Sequence, residues 1–153
     1  MKLVVEDVMT HREQLVSSTP ETTLAELVWQ FVTQGIRQTP VVDPDDRVIG
    51  MVTITDVLHA AYHRAGAAHA WRFELGPREL ESRVEALRPH RELVTVRPED
   101  TLQAASRRML QARVHSLPVV DPSGVLVGLV TSFDVLEAVS AAGVGEQADF
   151  DRD

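Results

Sequence analysis

Apolar residues along this chain fall into two kinds of run. Leu24, Leu27, Val28, Phe31 and Val32 recur at i, i+3, i+4, i+7 and i+8, which lays one stripe along an α-helix. Leu102, Ala105, Met109 and Leu110 give the same pattern further on. The other runs are short and β-branched. Val41-Val42 and Val48 to Val52 are joined by Pro44-Asp45-Asp46-Arg47, and Val119-Val120 and Val125 to Val130 by Pro122-Ser123-Gly124, so each pair predicts strand, turn, strand. A short strand is predicted before each first helix (Leu15 to Ser17; Leu93 to Val96), and a second helix from about Thr55 and from about Phe133. Thr22 or Thr23, and Asp100 or Thr101, supply the first-helix caps. Gly35 can end the first helix; Arg113 stands at the matching place, which predicts a differently built end.

Each half therefore reads β-α-β-β-α, and the halves are copies. With Leu15 set over Leu93, a shift of 78 residues, Leu15 to Ala60 aligns with Leu93 to Ala138 without a gap, and 18 of the 46 pairs are identical. The identities cluster: Pro20-Glu21 with Pro98-Glu99, Pro40-Val41-Val42-Asp43-Pro44 with Pro118-Val119-Val120-Asp121-Pro122, and Asp56-Val57-Leu58 with Asp134-Val135-Leu136. Blocks in one register signal duplication. The fold class is mixed α/β (α+β): residues 1–62 as repeat 1, 63–83 as a partly helical linker, 84–142 as repeat 2, and 143–153 as a disordered acidic tail. In the linker, Ala65 to Ala70 prolongs the second helix, Gly76-Pro77 breaks it, and Glu79 to Leu87 forms another short helix.

Composition narrows the function. No cysteine is present, which excludes disulfides, thiolate metal sites and a cysteine nucleophile. No apolar run approaches the roughly 20 residues that span a bilayer. MKLVVEDVMT carries acids directly after its apolar stretch and does not read as a signal peptide, so a cytoplasmic location with no membrane partner is expected. A net charge of −8 disfavours nucleic acid. Walker-type and Gly-x-Gly-x-x-Gly loops are absent, and neither Ser116 nor Ser132 has a base and acid in motif form. His59 and His63 stand at i, i+4 without a third metal ligand in the pattern. Trp71 and Phe73 are expected to pack against neighbouring helices.

The repeat resembles a tandem pair of CBS domains, the arrangement called a Bateman module. The resemblance is carried by Val5-Glu6-Asp7-Val8-Met9-Thr10, Gly35-Ile36-Arg37-Gln38-Thr39-Pro40-Val41-Val42-Asp43 and Gly50-Met51-Val52-Thr53-Ile54-Thr55-Asp56. In the second copy Val114-His115-Ser116-Leu117-Pro118-Val119-Val120-Asp121 and Gly128-Leu129-Val130-Thr131-Ser132-Phe133-Asp134 carry it. Val84-Glu85-Ala86-Leu87-Arg88 departs from the Asp-Val-Met-Thr opening. The resemblance implies two repeats packed with pseudo-twofold symmetry, clefts between them for AMP, ADP, ATP or S-adenosylmethionine, and a homodimer shaped as a flat disc. It implies a non-enzymatic regulator that requires no cofactor. With no attached domain, a stand-alone sensor or a subunit bound to an unidentified regulated protein is implied. The alternative is a structural dimerisation or adaptor module without a physiological ligand.

Gly-x-x-Thr-x-x-Asp occurs twice, as Gly50, Thr53, Asp56 and as Gly128, Thr131, Asp134, where a strand gives way to a helix. Unpaired N–H groups at a helix start favour a phosphate. The aspartate can accept from ribose hydroxyls, and the threonine can reach phosphate or ribose. The same spacing also makes a helix capping box, and the two uses are compatible. Arg37 and His115 hold equivalent places where the resemblance puts basic residues over phosphates; a solvated Arg and a backbone-bonded His are the alternatives. Such modest positive charge suits a monophosphate or a cationic adenosyl compound better than a triphosphate. Ile36, Thr39, Val114 and Leu117 can sandwich a base or simply pack the core.

Overall fold

A computed structural model describes residues 3–64, 75–87 and 92–142. The Ala65 to Ala70 run, Trp71, Phe73 and the tail 143–153 lie outside the described residues. Each repeat is built around one hairpin. β2 (Gln38–Val42) pairs antiparallel with β3 (Val48–Thr53), and β4 (Ser116–Val120) with β5 (Leu126–Thr131). An aspartate closes each turn. Asp43 Oδ1 accepts from the N–H groups of Asp45 and Arg47 at 2.9 Å each, and Asp121 Oδ1 from those of Ser123 and Val125 at 2.8 and 3.0 Å.

The helices obey their caps. Thr23 Oγ1 accepts from Glu26 N–H at the start of α1 (Leu24–Gln34), while the Glu26 carboxylate accepts from Thr23 N–H. Thr101 Oγ1 accepts from Ala104 N–H at the start of α4 (Leu102–Ala112). Between them lie α2 (Ile54–Arg64) and the one-turn α3 (Pro77–Leu80), and α5 (Ser132–Ala141) follows the second hairpin. No helix among the described residues is long and apolar enough to cross a membrane. One expectation is corrected at the end of α4. Arg113 adopts the same left-handed backbone (φ 55°) as Gly35 (φ 63°), and Val114 N–H closes on Met109 O at 3.0 Å. The two ends therefore share a left-handed residue, and Arg113 carries the roughly 1–2 kcal/mol of a side chain in that region.

The strands expected at Leu15 to Ser17 and Leu93 to Val96 shrink to single parallel bridges, Ser18 to Val41 and Val96 to Val119. Ser18 N–H donates to Pro40 O and Val42 N–H to Ser18 O. The next donor along that ladder would be residue 20 or 98, and both are proline, which has no N–H. The single helix expected over Glu79 to Leu87 is likewise two pieces, α3 and a 3-10 turn at Val84–Leu87.

The opening segments are exchanged between the halves. Residues 3–11 stand in repeat 1 of the sequence but dock on repeat 2. Val5 N–H donates to Asp100 O, Glu6 N–H to Pro98 O, and Leu102 N–H to Leu3 O. β1 (Thr10–His11) then adds to β5, giving the sheet order β1-β5-β4. Residues 82–85 return the arrangement on repeat 1: Val84 N–H donates to Thr22 O, Glu85 N–H to Pro20 O, and Leu24 N–H to Ser82 O. Two cores result. Val5 and Met9 pack with Val96, Leu102, Met109, Leu117 and Val130. Val84 packs with Leu24, Leu27, Phe31, Val41 and Val52. At the join, Val48 N–H donates to Gly124 O at 3.0 Å and Leu126 N–H to Asp46 O at 2.9 Å, a pair related by the repeat shift.

Gly128 is required by the β1 addition. A Cβ there would stand 2.8 Å from the backbone oxygen of Thr10 and 2.7 Å from Met9 Sδ, and backbone cannot swing aside. Gly128→Ala is expected to cost about 1–3 kcal/mol. A denaturant midpoint equal to that of the unaltered protein would show that β1 does not sit there in solution.

Arg12 clamps the join. Its Nε and Nη2 both donate to the Asp46 carboxylate at 2.9 Å, and Asp46 itself holds φ 60° where repeat 2 has Gly124. Hydrogen bonding to Arg12 holds the Asp46 carboxyl below the usual carboxylate range, and the Thr23 backbone N–H does the same for Glu26. A carboxyl whose folded pKa is lowered stabilises the fold above its unfolded pKa of about 4, and that contribution disappears as pH falls through the lowered value. The melting temperature should therefore drop as pH falls below about 5, and drop less steeply in Asp46→Asn, where asparagine tolerates the left-handed backbone. The pair is one-third exposed, so the difference is small.

Candidate functional site

The strand-to-helix junctions are the first component. Thr53 Oγ1 accepts from Asp56 N–H at 3.3 Å, and Asp56 Oδ2 accepts from the N–H and Oγ1 of Thr53 at 2.8 Å each. Thr131 and Asp134 repeat this at 3.2, 2.7 and 2.8 Å. Both are reciprocal capping boxes opening α2 and α5. The second component is the chain entering β2 and β4. Ile54 N–H donates to Arg37 O at 2.9 Å, and Ser132 N–H to His115 O at 2.8 Å. In each repeat one backbone bond thus ties the basic residue to the helix start, and the left-handed residues Gly35 and Arg113 turn the chain to make that approach.

These parts open on one cavity of about 1180 Å³, larger than the ~300–1,000 Å³ usual for a single small-molecule site. Both repeats wall it, with Thr53 and Thr131 at the helix starts and Arg37 and His115 also in the lining. Arg37 forms no ion pair among the described residues, whereas Arg12 and Arg108 are committed to Asp46 and Asp100.

Seven of the ten residues singled out from the sequence line this cavity: Ile36, Arg37, Thr53, Val114, His115, Leu117 and Thr131. Ile36, Val114 and Leu117 also pack against the two cores. Three residues do not line it. Thr39 is fully buried and donates to Val16 O at 2.9 Å, which makes it an interior hydroxyl rather than a wall for a base. Asp56, 9% exposed, and the half-buried Asp134 stand behind the threonines they bond. Asp134 Oδ2 takes both Thr131 hydrogen bonds, and Oδ1 takes none among the described residues. Sequence reasoning missed Gln14, Leu15, Val16, Glu92, Leu93 and Val94, which also form the wall. The identity of Leu15-Val16 with Leu93-Val94 was the available signal. His59 is exposed on α2, and the His63 side chain lies outside the described residues.

The model of the CBS domain family matches residues 5–63 and again 84–141. The chain is 28% identical over 142 residues to 5'-AMP-activated protein kinase subunit gamma-3 of Homo sapiens, covering 90% of this chain and 29% of that protein. It spans less than a third of the length of the first curated relatives it matches, at 22%, 27% and 26% of theirs. Among solved structures, CBSX2 in complex with AMP superposes with a TM-score of 0.73 at 26% identity, covering 91% of this chain and 97% of that one. The CBS domain pair of MJ0100, in complex with 5'-methylthioadenosine and S-adenosyl-L-methionine, gives 0.75 at 18% identity over 93% and 99%, a likeness of fold.

Proposed function

The chain belongs to the CBS domain family, and from that membership and the cavity we propose that it is a non-catalytic regulatory module that binds an adenosine-containing ligand between its repeats. One observation carries this reading. A single cavity receives both capped helix starts together with a guanidinium that no carboxylate neutralises among the described residues. The partial positive charge of two helix starts and a guanidinium without a carboxylate partner among the described residues attract a phosphate. Ile36, Val114 and Leu117 offer apolar walls to a base, and Asp56 and Asp134 offer carboxylate acceptors to a ribose from behind Thr53 and Thr131. The complexes of CBSX2 and MJ0100 support the adenosyl class.

The ligand acts as a reversible effector rather than a cofactor. It touches both halves, so it shifts how they sit only insofar as it prefers one arrangement, and a partner protein reads that shift. AMP or ADP is the preferred ligand, at micromolar affinity or roughly −8 kcal/mol. Calorimetry and thermal shift on ligand-free protein with AMP, ADP, ATP and S-adenosylmethionine test this. Heat and a raised melting temperature with at least one ligand are expected; neither with any of the four sinks the reading.

A homodimer belongs to the same proposal. Trp29 and Val32 on α1, Leu110 on α4, and Phe133 and Leu136 on α5 are 62–78% exposed, an apolar load usual for a surface that meets a partner. Light scattering should give twice the chain mass, and the monomer mass would remove this part. The empty-cleft adaptor predicts the same dimer with a melting temperature that nucleotides leave unchanged.

A further inference from the structure

Among the described residues, three ionisable side chains line the cavity: Arg37, His115 and Glu92. With histidine neutral their charges cancel, within a chain of net charge −8. Glu92 has an internal comparison. Under the repeat shift of 78 it occupies the place of Gln14, and Gln14 also lines the cavity. Gln and Glu have the same shape and reach; they differ in that Glu carries a full negative charge and offers no donor. The two related walls therefore differ at this place by one charge. Glu92 is exposed, and no cation pairs with it among the described residues.

Resting on the proposed adenosyl-phosphate site, we infer that Glu92 is a specificity-determining residue that limits the negative charge a ligand can bring. A carboxylate in the wall repels each further phosphate. For any two like charges roughly 8 Å apart at an effective dielectric constant of ~40–80, the repulsion amounts to about two- to sixfold in affinity. AMP and ATP differ by roughly two charges, so the penalty compounds to about tenfold. Arg37 attracts the first phosphate, and Glu92 resists the second and third. The cavity is large enough for a triphosphate, so selection for a monophosphate rests on charge rather than on room.

The test is calorimetry with AMP and ATP, free of divalent cations, at low ionic strength and one fixed pH. Unaltered protein, Glu92→Gln and Gln14→Glu are compared. The unaltered protein should prefer AMP. Glu92→Gln should raise ATP affinity about tenfold more than it raises AMP affinity, and Gln14→Glu should move the ratio the other way. The differences should shrink in high salt. If nucleotides bind but the AMP-to-ATP ratio is the same in all three proteins, the role of Glu92 is overturned while the adenosyl site stands. If no nucleotide binds the unaltered protein, both fall together.

Discussion

Val5→Asp, a change near the start of repeat 1, is expected to unfold repeat 2. Val5 is fully buried, and its neighbours Val96, Leu102, Ala105, Met109 and Leu117 all belong to the second half. A carboxylate there has no cation beside it and loses its water, and a buried unpaired charge typically costs more than about 4 kcal/mol. Domains of this size have about 5–15 kcal/mol in total, so a large share of the stability goes. The loss is local first. The amides of α4, β4 and β5 should exchange hydrogen faster, because β1 leaves the edge of β5 with the segment that carries it. The amides of α1 and β2 should keep most of their protection, since their core is closed by Val84 instead. Val84→Asp is the mirror experiment and should expose α1 and β2. Hydrogen exchange read by mass spectrometry decides it. Lost protection in α1 with α4 intact after Val5→Asp would mean that the opening segment packs on its own repeat.

The exchange marks where local sequence stops being informative. Helices and hairpins write themselves into neighbouring residues: Leu24, Leu27 and Phe31 have the helical period, and Asp43 and Asp121 stand where a turn needs an acceptor. Those elements, and their duplication, were legible. Val5 carries no local sign that its partners begin near residue 96, because the contact is set by the fold of the other half. Its counterpart Val84, offset by 79 residues rather than 78, was legible as the second opening, but nothing local marks that each opening docks on the other half. The expected first strands failed for a more readable reason: proline stands two residues beyond each bridge.

The site was legible as a set of places and less so as a set of surfaces. Arg37 and His115 lie in the wall because an irregular connection between helix and strand faces the cavity. Thr39, in a strand buried from Thr39 to Val42, went to the interior and donates to Val16 O. Glu92 was invisible to motif reasoning, since a single exposed acid means nothing until the cavity places it.

Asp134→Ala is the other change with a large expected effect, and it separates the two uses of the Thr-x-x-Asp spacing. Removing the carboxylate takes away the hydrogen bonds from the Thr131 N–H and Oγ1 and a negative charge at the start of α5. As a cap loss this costs about 1 kcal/mol of stability, whatever the ligand does. If Oδ1 also accepts from a ribose hydroxyl, AMP affinity falls as well, by about 10- to 150-fold for one charge-assisted bond of ~1.5–3 kcal/mol. A folded variant can be assayed well below its melting temperature, so the two losses are measured independently. The ligand supplies the second arm of a cycle. An AMP analogue lacking both ribose hydroxyls should bind the unaltered protein as weakly as AMP binds Asp134→Ala, and should lose nothing further in that variant. Asp56→Ala applies the same cycle to the other half. Equal losses for AMP and the analogue in both variants would leave the aspartates as helix caps alone, holding Thr53 and Thr131 in a wall whose ribose contacts come from elsewhere.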